Sequence, residues 1–398
     1  MTEAPEIPVV RIQAGRHKRA ALGSPWIFSN EIVMDGAAKA LPAGEIVRFY
    51  AHDRSFIGTG SFNAHSLIAG RIFTRKPLEE IDAAFFAKRF KAARDLRDRL
   101  IPDPFYRLIH AEADGLPGLV IDRFDDCFSL QANSAGMDRL MPSIVEALEA
   151  VFAPKAIIAH NESSVRALEG LARATLALKG EMPSPIRVCE NGLTYFADLV
   201  GGQKTGWYFD QRDNHALVAR FAQGARVLDL YCHAGGFGIC AAKAGAISVV
   251  GVDSSESALK LAAPAASEND VAKVCEWVKA DVFDDLQKRA GAKERFEIVI
   301  ADPPPFVKSR KDMASGARGY RKLARLSAEL VTPGGLLFIA SCSHNMTLDA
   351  FGQEVARGLA EAKREGRILY TVFAAPDHPQ HPHLPESAYL KGFLVNLD

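Results

Sequence analysis

Val227-Leu-Asp-Leu-Tyr-Cys-His-Ala-Gly-Gly-Phe-Gly238 reads as an apolar strand that runs into a glycine-rich turn and out into a helix. Gly235 and Gly236 remove the Cβ atoms that would keep a ligand off the backbone, and Asp229 offers a carboxylate to an ammonium or hydroxyl group. The spacing is not G-x-G-x-x-G, which weighs against a dinucleotide site. Downstream the alternation repeats. Ser248–Asp253 reads as a strand and Ser255–Asn269 as a helix that Pro264 should kink or split. Strands follow at Val274–Val278, Glu297–Ala301, Gly335–Ser341, Ile368–Phe373 and Leu390–Leu397, with helices at Lys322–Leu330 and Leu348–Ala362. This predicts an α/β fold, a mostly parallel sheet whose ligand crevice lies at the carboxyl ends of its strands.

Upstream the texture differs. Residues 8–75 carry short β segments (Val9–Ile12, Glu45–Tyr50, Phe56–Gly60, Ile68–Phe73) between Gly, Pro, Asp and Asn, the pattern of a small all-β module. Residues 79–100 place Ile81, Phe85, Phe86, Phe90 and Leu96 at helical spacing, an amphipathic bridge out of that module. A hairpin turning at Asp125-Asp126, a helix over Met137–Val151, and strands at Ala156–His160, Ala174–Leu178, Ile186–Glu190 and Leu193–Asp198 predict an α+β region. The expected domains are therefore 1–75, 76–195 and 196–398.

The 398 residues suit two to four domains. With 48% hydrophobic and 24% charged residues, disordered and fibrous classes fall away. No apolar run approaches ~18 residues and the N-terminus lacks a signal-like core, so a soluble, cytoplasmic protein without a membrane partner is expected. Six scattered cysteines with no CxxC pair argue against a disulfide framework and a cysteine zinc site. A net charge of zero means that a nucleic acid would have to be held by local patches.

Three acids follow three successive strands beside the glycine turn: Asp229, Asp253, placed for ribose hydroxyls, and Asp281-Val282, placed for an adenine amino group. This set suits S-adenosylmethionine, which wants carboxylates and no phosphate cradle. At the end of the fourth strand Asp302-Pro303-Pro304-Pro305-Phe306 can present a carboxylate and carbonyls to a planar base, with Phe306 as a stacking face. Behind it Lys308, Arg310, Lys311, Arg318, Arg321 and Lys322 form a candidate phosphate contact. Cys342, after the fifth strand, can add to an electron-poor ring carbon; Cys232 reads as packing. His378, His381 and His383 lie in a proline-rich loop, read as a rigid cover of the crevice rather than a metal site.

These residues resemble the bacterial PUA-domain 23S ribosomal RNA cytosine-5 methyltransferase family. The likeness rests on Pro25-Trp-Ile-Phe-Ser-Asn30, Ala111 to Phe124, Gly202-Gln-Lys-Thr-Gly-Trp-Tyr-Phe-Asp-Gln-Arg212, the Asp229 to Phe237 turn, Asp302 to Phe306, Ser341-Cys342-Ser343 and Tyr389-Leu-Lys-Gly-Phe393. It implies an N-terminal RNA-binding PUA domain, a central α+β domain and a class I (Rossmann-like) S-adenosylmethionine-dependent methyltransferase domain. The resemblance implies cofactor contacts from Gln203, Lys204, Thr205, Phe209, Asp210, Gln211 and Arg212, and from Asp229, Tyr231, Gly235, Gly236, Phe237, Asp253, Ser254, Asp281, Val282 and Asp302. It also implies Cys342 as nucleophile, assisted by Asp302, and RNA contacts from Phe306, Lys308, Arg310 and Lys311. The implied partners are ribosomal RNA, naked or in an assembling large subunit, and a second copy of the chain. Pro305 stands where members commonly have Lys or Ala, so no lysine role transfers there. Methylation of another RNA base, or a non-catalytic ribosome-assembly role, stays open at the level of sequence.

Overall fold

Continuous apolar runs such as Val227-Leu228 and Ile298-Val-Ile-Ala301 suit strands covered on both faces, and the computed structural model builds them into one sheet. It describes residues 7–201 and 206–398. The chain divides into two units. One holds Pro185–Asp198, Tyr208–Pro376 and Glu386–Asp398. The strands of its main sheet are β1 (Arg226–Leu230), β2 (Ser248–Asp253), β3 (Cys275–Lys279), β4 (Phe296–Ala301), β5 (Val331–Ser341), β6 (Gly366–Phe373) and β7 (Lys391–Leu397). The seven strands lie in the order 3-2-1-4-5-7-6. β1 to β5 pair in parallel and β7 runs antiparallel to both β5 and β6. The order reverses beside β1, where a doubly wound sheet opens its crevice.

Leu228, Leu230, Val299, Ala301, Leu337 and Ile339 face one buried core with Tyr320, Leu323 and Phe351. The helices following β1 to β5 are α1 (Gly236–Lys243), α2 (Glu256–Glu268), α3 (Val282–Gly291), α4 (Met313–Leu330) and α5 (Leu348–Glu361). Contrary to expectation, Pro264 does not split α2, because it sits on the exposed face, where water can solvate the carbonyl that loses its partner. α4 starts nine residues before Lys322, so most of the basic run is helical. The hairpin Ile186–Glu190/Leu193–Ala197 groups with this unit rather than with the region 76–195: Asn269, at the end of α2, accepts from the Thr194 amide (3.1 Å) and donates to its carbonyl (2.6 Å).

The other unit comprises the described residues up to Ser184, those of Leu199–Trp207, and Asp377–Pro385. It contains two five-stranded sheets with separate cores, one around Ile27, Val47, Phe49 and Phe62, the other around Phe86, Phe90, Ile121 and Leu130. The bridging helix spans Ala83–Leu100, capped by Asp82, whose carboxylate accepts from the Phe85 amide. Its buried stripe departs from expectation: Leu96 is 43% exposed, whereas Arg97 is fully buried in a bidentate pair with Asp114, both contacts 2.7 Å. The helix expected over Met137–Val151 breaks into Ala135–Arg139 and Met141–Phe152, with Pro142 in the first turn of the second. The His-rich loop packs in this unit. Asp377 accepts from the Arg107 amide (3.0 Å) and from His378 (2.9 Å), while its carbonyl accepts from Arg97 (3.1 Å). Among the described residues no His/Cys/Asp/Glu cluster could hold a metal ion, and no helix is long and apolar enough to cross a membrane.

Candidate active site

The turn after β1 holds Tyr231, His233 and Gly235 at φ +60°, +48° and +85°. Left-handed backbone at two non-glycine residues is costly and is typical of places where function constrains the chain. The reason for glycine differs from expectation. A Cβ on Gly235 would meet the Trp277 ring at 2.8 Å, and one on Gly236 the His215 ring at 2.6 Å. Glycine is thus demanded by the packing beneath the turn, and at Gly235 also by φ. Phe237 is buried between Phe338 and His215.

Asp229 is the most unusual group here. It lies on β1 at 1% exposure; one carboxylate oxygen accepts from the Gly238 amide at 2.9 Å, and the other, Oδ1, has no partner among the described residues. Burial pushes its carboxyl up to about 8, Asp302 and Asp253 adding to the rise while the Gly238 amide opposes it. A buried acid with an unsatisfied oxygen, on the strand that feeds a glycine turn, can receive a cation or a hydroxyl. Asp253 ends β2, half-buried, and accepts from the amides of His233 (2.9 Å) and Ser255 (2.8 Å), which ties the two strand ends together; Ser254 is exposed. Asp281 caps α3 through the amides of Phe283 and Asp284, and Val282 is buried behind it.

The parallel register aligns these ends with Asp302, after β4, and Cys342, after β5. The half-buried Cys342 thiol donates to the Pro303 carbonyl at 3.7 Å, so the proline turn and the cysteine meet. Beneath them the Tyr320 hydroxyl is shared between Ser341 and Ser343, each at 2.8 Å. Phe306 leans on Tyr320 and Phe283, with ring centroids at 4.8 and 6.1 Å, so much of the ring expected to stack on a base contacts protein. Lys308 and Lys311 are exposed; the side chain of Arg310 lies outside the described residues. Arg321 is bound to Glu354 (2.8 Å), and Lys322 lies 4.6 Å above the Phe283 ring. Cys232 is 5% exposed, and burial lifts its thiol well above the ordinary range.

Of the block ending at Arg212, Gln203, Lys204 and Thr205 lie outside the described residues. Phe209, Asp210, Gln211 and Arg212 are buried, and Asp210 accepts from the Tyr389 hydroxyl. Several residues that matter went unnoticed in the sequence. Glu190, fully buried, binds His215 at 2.7 Å and approaches Arg212 at 4.0 Å beneath the glycine turn; nothing local announces such a pair. Lys391, a lone charge at the head of an apolar strand, did carry a signal.

This is the geometry of a class I methyltransferase. Residues 10–75 match the PUA-like domain family, and residues 161–396 match the family of S-adenosylmethionine-dependent methyltransferases. The cofactor is S-adenosylmethionine, and the unsatisfied Asp229 oxygen beside the glycine turn fits its charged amine.

Along its whole length the chain is 38% identical to ribosomal RNA large subunit methyltransferase I of Shewanella frigidimarina, covering 98% of this chain and 99% of the relative. It is 37% identical to the protein of that name from Pseudoalteromonas atlantica, at the same coverage. The chain belongs to this family. The protein SMU.776, solved as a complex with SAH, shares the fold at a TM-score of 0.83 and 22% identity, over 98% of this chain and 100% of that one.

Proposed function

We propose that the protein methylates carbon 5 of a cytidine in the large-subunit (23S) ribosomal RNA through a covalent adduct with Cys342. The observation that carries this reading is the meeting of Cys342 with the Asp302 to Phe306 turn at the ends of two adjacent strands. The names of the relatives support ribosomal RNA as substrate, and the PUA-like module supports RNA contact outside the catalytic unit. The three-domain division 1–75, 76–195 and 196–398 remains our functional reading, with the hairpin at 186–197 serving the catalytic unit.

Asp229 would receive the cofactor's amine, Asp253 its ribose, and Asp281 with Val282 its adenine. The backbone of Gly235, Gly236 and Phe237 would line the path with Tyr231 and Ser254. Gln203, Lys204, Thr205 and Phe209 to Arg212 would contact the cofactor's methionine end. S-adenosylmethionine supplies an electrophilic methyl group. Carbon 5 of cytosine is a poor nucleophile, and the Cys342 thiolate remedies this by adding to carbon 6, which drives electron density onto carbon 5. Asp302 holds the N3 and amino edge of the base and stabilises the adduct. After carbon 5 is methylated, its proton passes to a base, the double bond re-forms and the thiolate departs. A base inside paired RNA has to be extruded, and Phe306 with Lys308, Arg310 and Lys311 would guide it. The exposed apolar row Ile368, Leu369, Tyr370 and Phe373 on the edge strand β6 supports a second copy as partner, and the absence of a membrane-crossing helix among the described residues is consistent with cytoplasmic action.

The test is methyl transfer from labelled cofactor to unmodified large-subunit RNA, followed by nucleoside chromatography. Label in 5-methylcytidine is expected; label in a methylated guanosine or uridine would refute the reading.

A further inference from the structure

Lys391 opens β7 directly opposite Ser341, the last residue of β5, in the antiparallel register. It is the only charged residue of its strand (Lys-Gly-Phe-Leu-Val-Asn-Leu) and is 4% exposed. Burying an ammonium is expensive unless its protons are bonded and a counter-charge is near. Two backbone carbonyls meet the first condition. Nζ donates to the Ser343 carbonyl at 2.7 Å and to the Met346 carbonyl at 2.6 Å, clasping the turn that begins at Cys342. Among the described residues these are its two acceptors.

Burial pulls the proton affinity of Lys391 down to about 8, and charge interaction with Cys342 opposes that fall. Such coupling is reciprocal: what a thiolate does for the ammonium, the ammonium does for the thiolate. Three other groups lie near Cys342 among the described residues. Asp302 precedes the carbonyl that accepts from the thiol and is anionic when ionised; the Tyr320 hydroxyl from α4 is neutral and held so by burial. His344, two residues along, stacks on Tyr389 and lies 3.3 Å from the Glu386 carbonyl.

We propose that Lys391 is a positioning residue for the methyl transfer: it pins the Ser341–Met346 turn that carries Cys342, and its ammonium favours the thiolate that attacks the base. The proposal rests on the reading of Cys342 as nucleophile. Its test is the pH dependence of Cys342 alkylation by iodoacetamide in the full chain, followed by peptide mass spectrometry from pH 5 to 10, with the buried Cys232 as an unreactive control.

The wild-type midpoint should fall below the ordinary thiol value of ~8.5. In Lys391→Met it should rise by about one unit or more, with roughly tenfold slower labelling at pH 7. kcat should fall in step and recover toward pH 9 while KM for the cofactor stays unchanged, and Lys391→Arg should keep most of the wild-type behaviour. A wild-type midpoint at or above ~8.5, or a folded Lys391→Met with an unmoved midpoint, would overturn the proposal. If Lys391→Met does not fold, the wild-type midpoint decides alone. Full activity in Cys342→Ser would remove the nucleophile reading without touching the alkylation midpoints, so the two failures are distinguishable.

Discussion

Asp229→Asn should make the cofactor-free protein more stable and the enzyme useless. Burial pushes the folded carboxyl up to about 8, against 3.8 for an ordinary aspartate. Because the folded value is raised, the contribution of Asp229 to stability is whole below pH ~4 and drains away as the pH climbs toward 8. At pH 7 folding has to protonate a group that is ionised in the unfolded chain, a penalty of roughly 4 kcal/mol at about 1.4 kcal/mol per unit. Asparagine carries no such proton, and its amide oxygen can still accept from Gly238.

In urea titrations without cofactor, the variant should exceed wild type by several kcal/mol at pH 7 and match it near pH 4. Calorimetry should show its S-adenosylmethionine affinity down by more than tenfold, since a neutral amide cannot balance an ammonium. In wild type, cofactor binding should release about 0.9 proton at pH 7, and affinity should rise about tenfold from pH 6 to 7, where the ligand's amine remains charged. A variant with the same stability difference at both pH values, or one that binds the cofactor normally, would show that Asp229 is a passive core acid.

Asp253→Ala should weaken the cofactor roughly tenfold or more with the fold intact, since a charge-assisted hydrogen bond contributes about 1.5–3 kcal/mol; equal affinity by calorimetry would refute the ribose assignment. Replacing exposed Lys308 and Lys311 by Ala should lower the slope of log RNA affinity against log salt by up to about 2, whatever the RNA sequence. An unchanged slope in filter binding would leave those lysines as a solvated face.

What could be read from the sequence was whatever local pattern encodes. Apolar runs and turns marked the sheet, and the acids Asp229, Asp253, Asp281 and Asp302 could be placed at or near strand ends because position along a strand is a local property. Non-local packing was not legible. Leu96 and Arg97 exchange roles because Arg97 finds Asp114, 17 residues on. Glu190 meets His215 only after the hairpin folds onto the catalytic unit. The glycines were recognised, but their reason was a tryptophan and a histidine that no spacing rule connects to them. Lys391 was passed over although it is a lone charge in an apolar strand, and its partners lie more than 40 residues away.

The most direct measurement concerns the adduct itself. A guanine-N or ribose-O methyltransferase needs no covalent intermediate, because its target atom already has a usable lone pair, whereas carbon 5 of cytosine does not. Large-subunit RNA carrying 5-fluorocytidine should trap the wild-type protein after methyl transfer, since fluorine cannot leave as a proton and the thioether stays closed. The complex should survive denaturing electrophoresis, require S-adenosylmethionine, form with Cys232→Ser and fail with Cys342→Ser, which should also lose turnover by orders of magnitude. Full activity in Cys342→Ser, or trapping abolished only in Cys232→Ser, would contradict the assignment of the nucleophile.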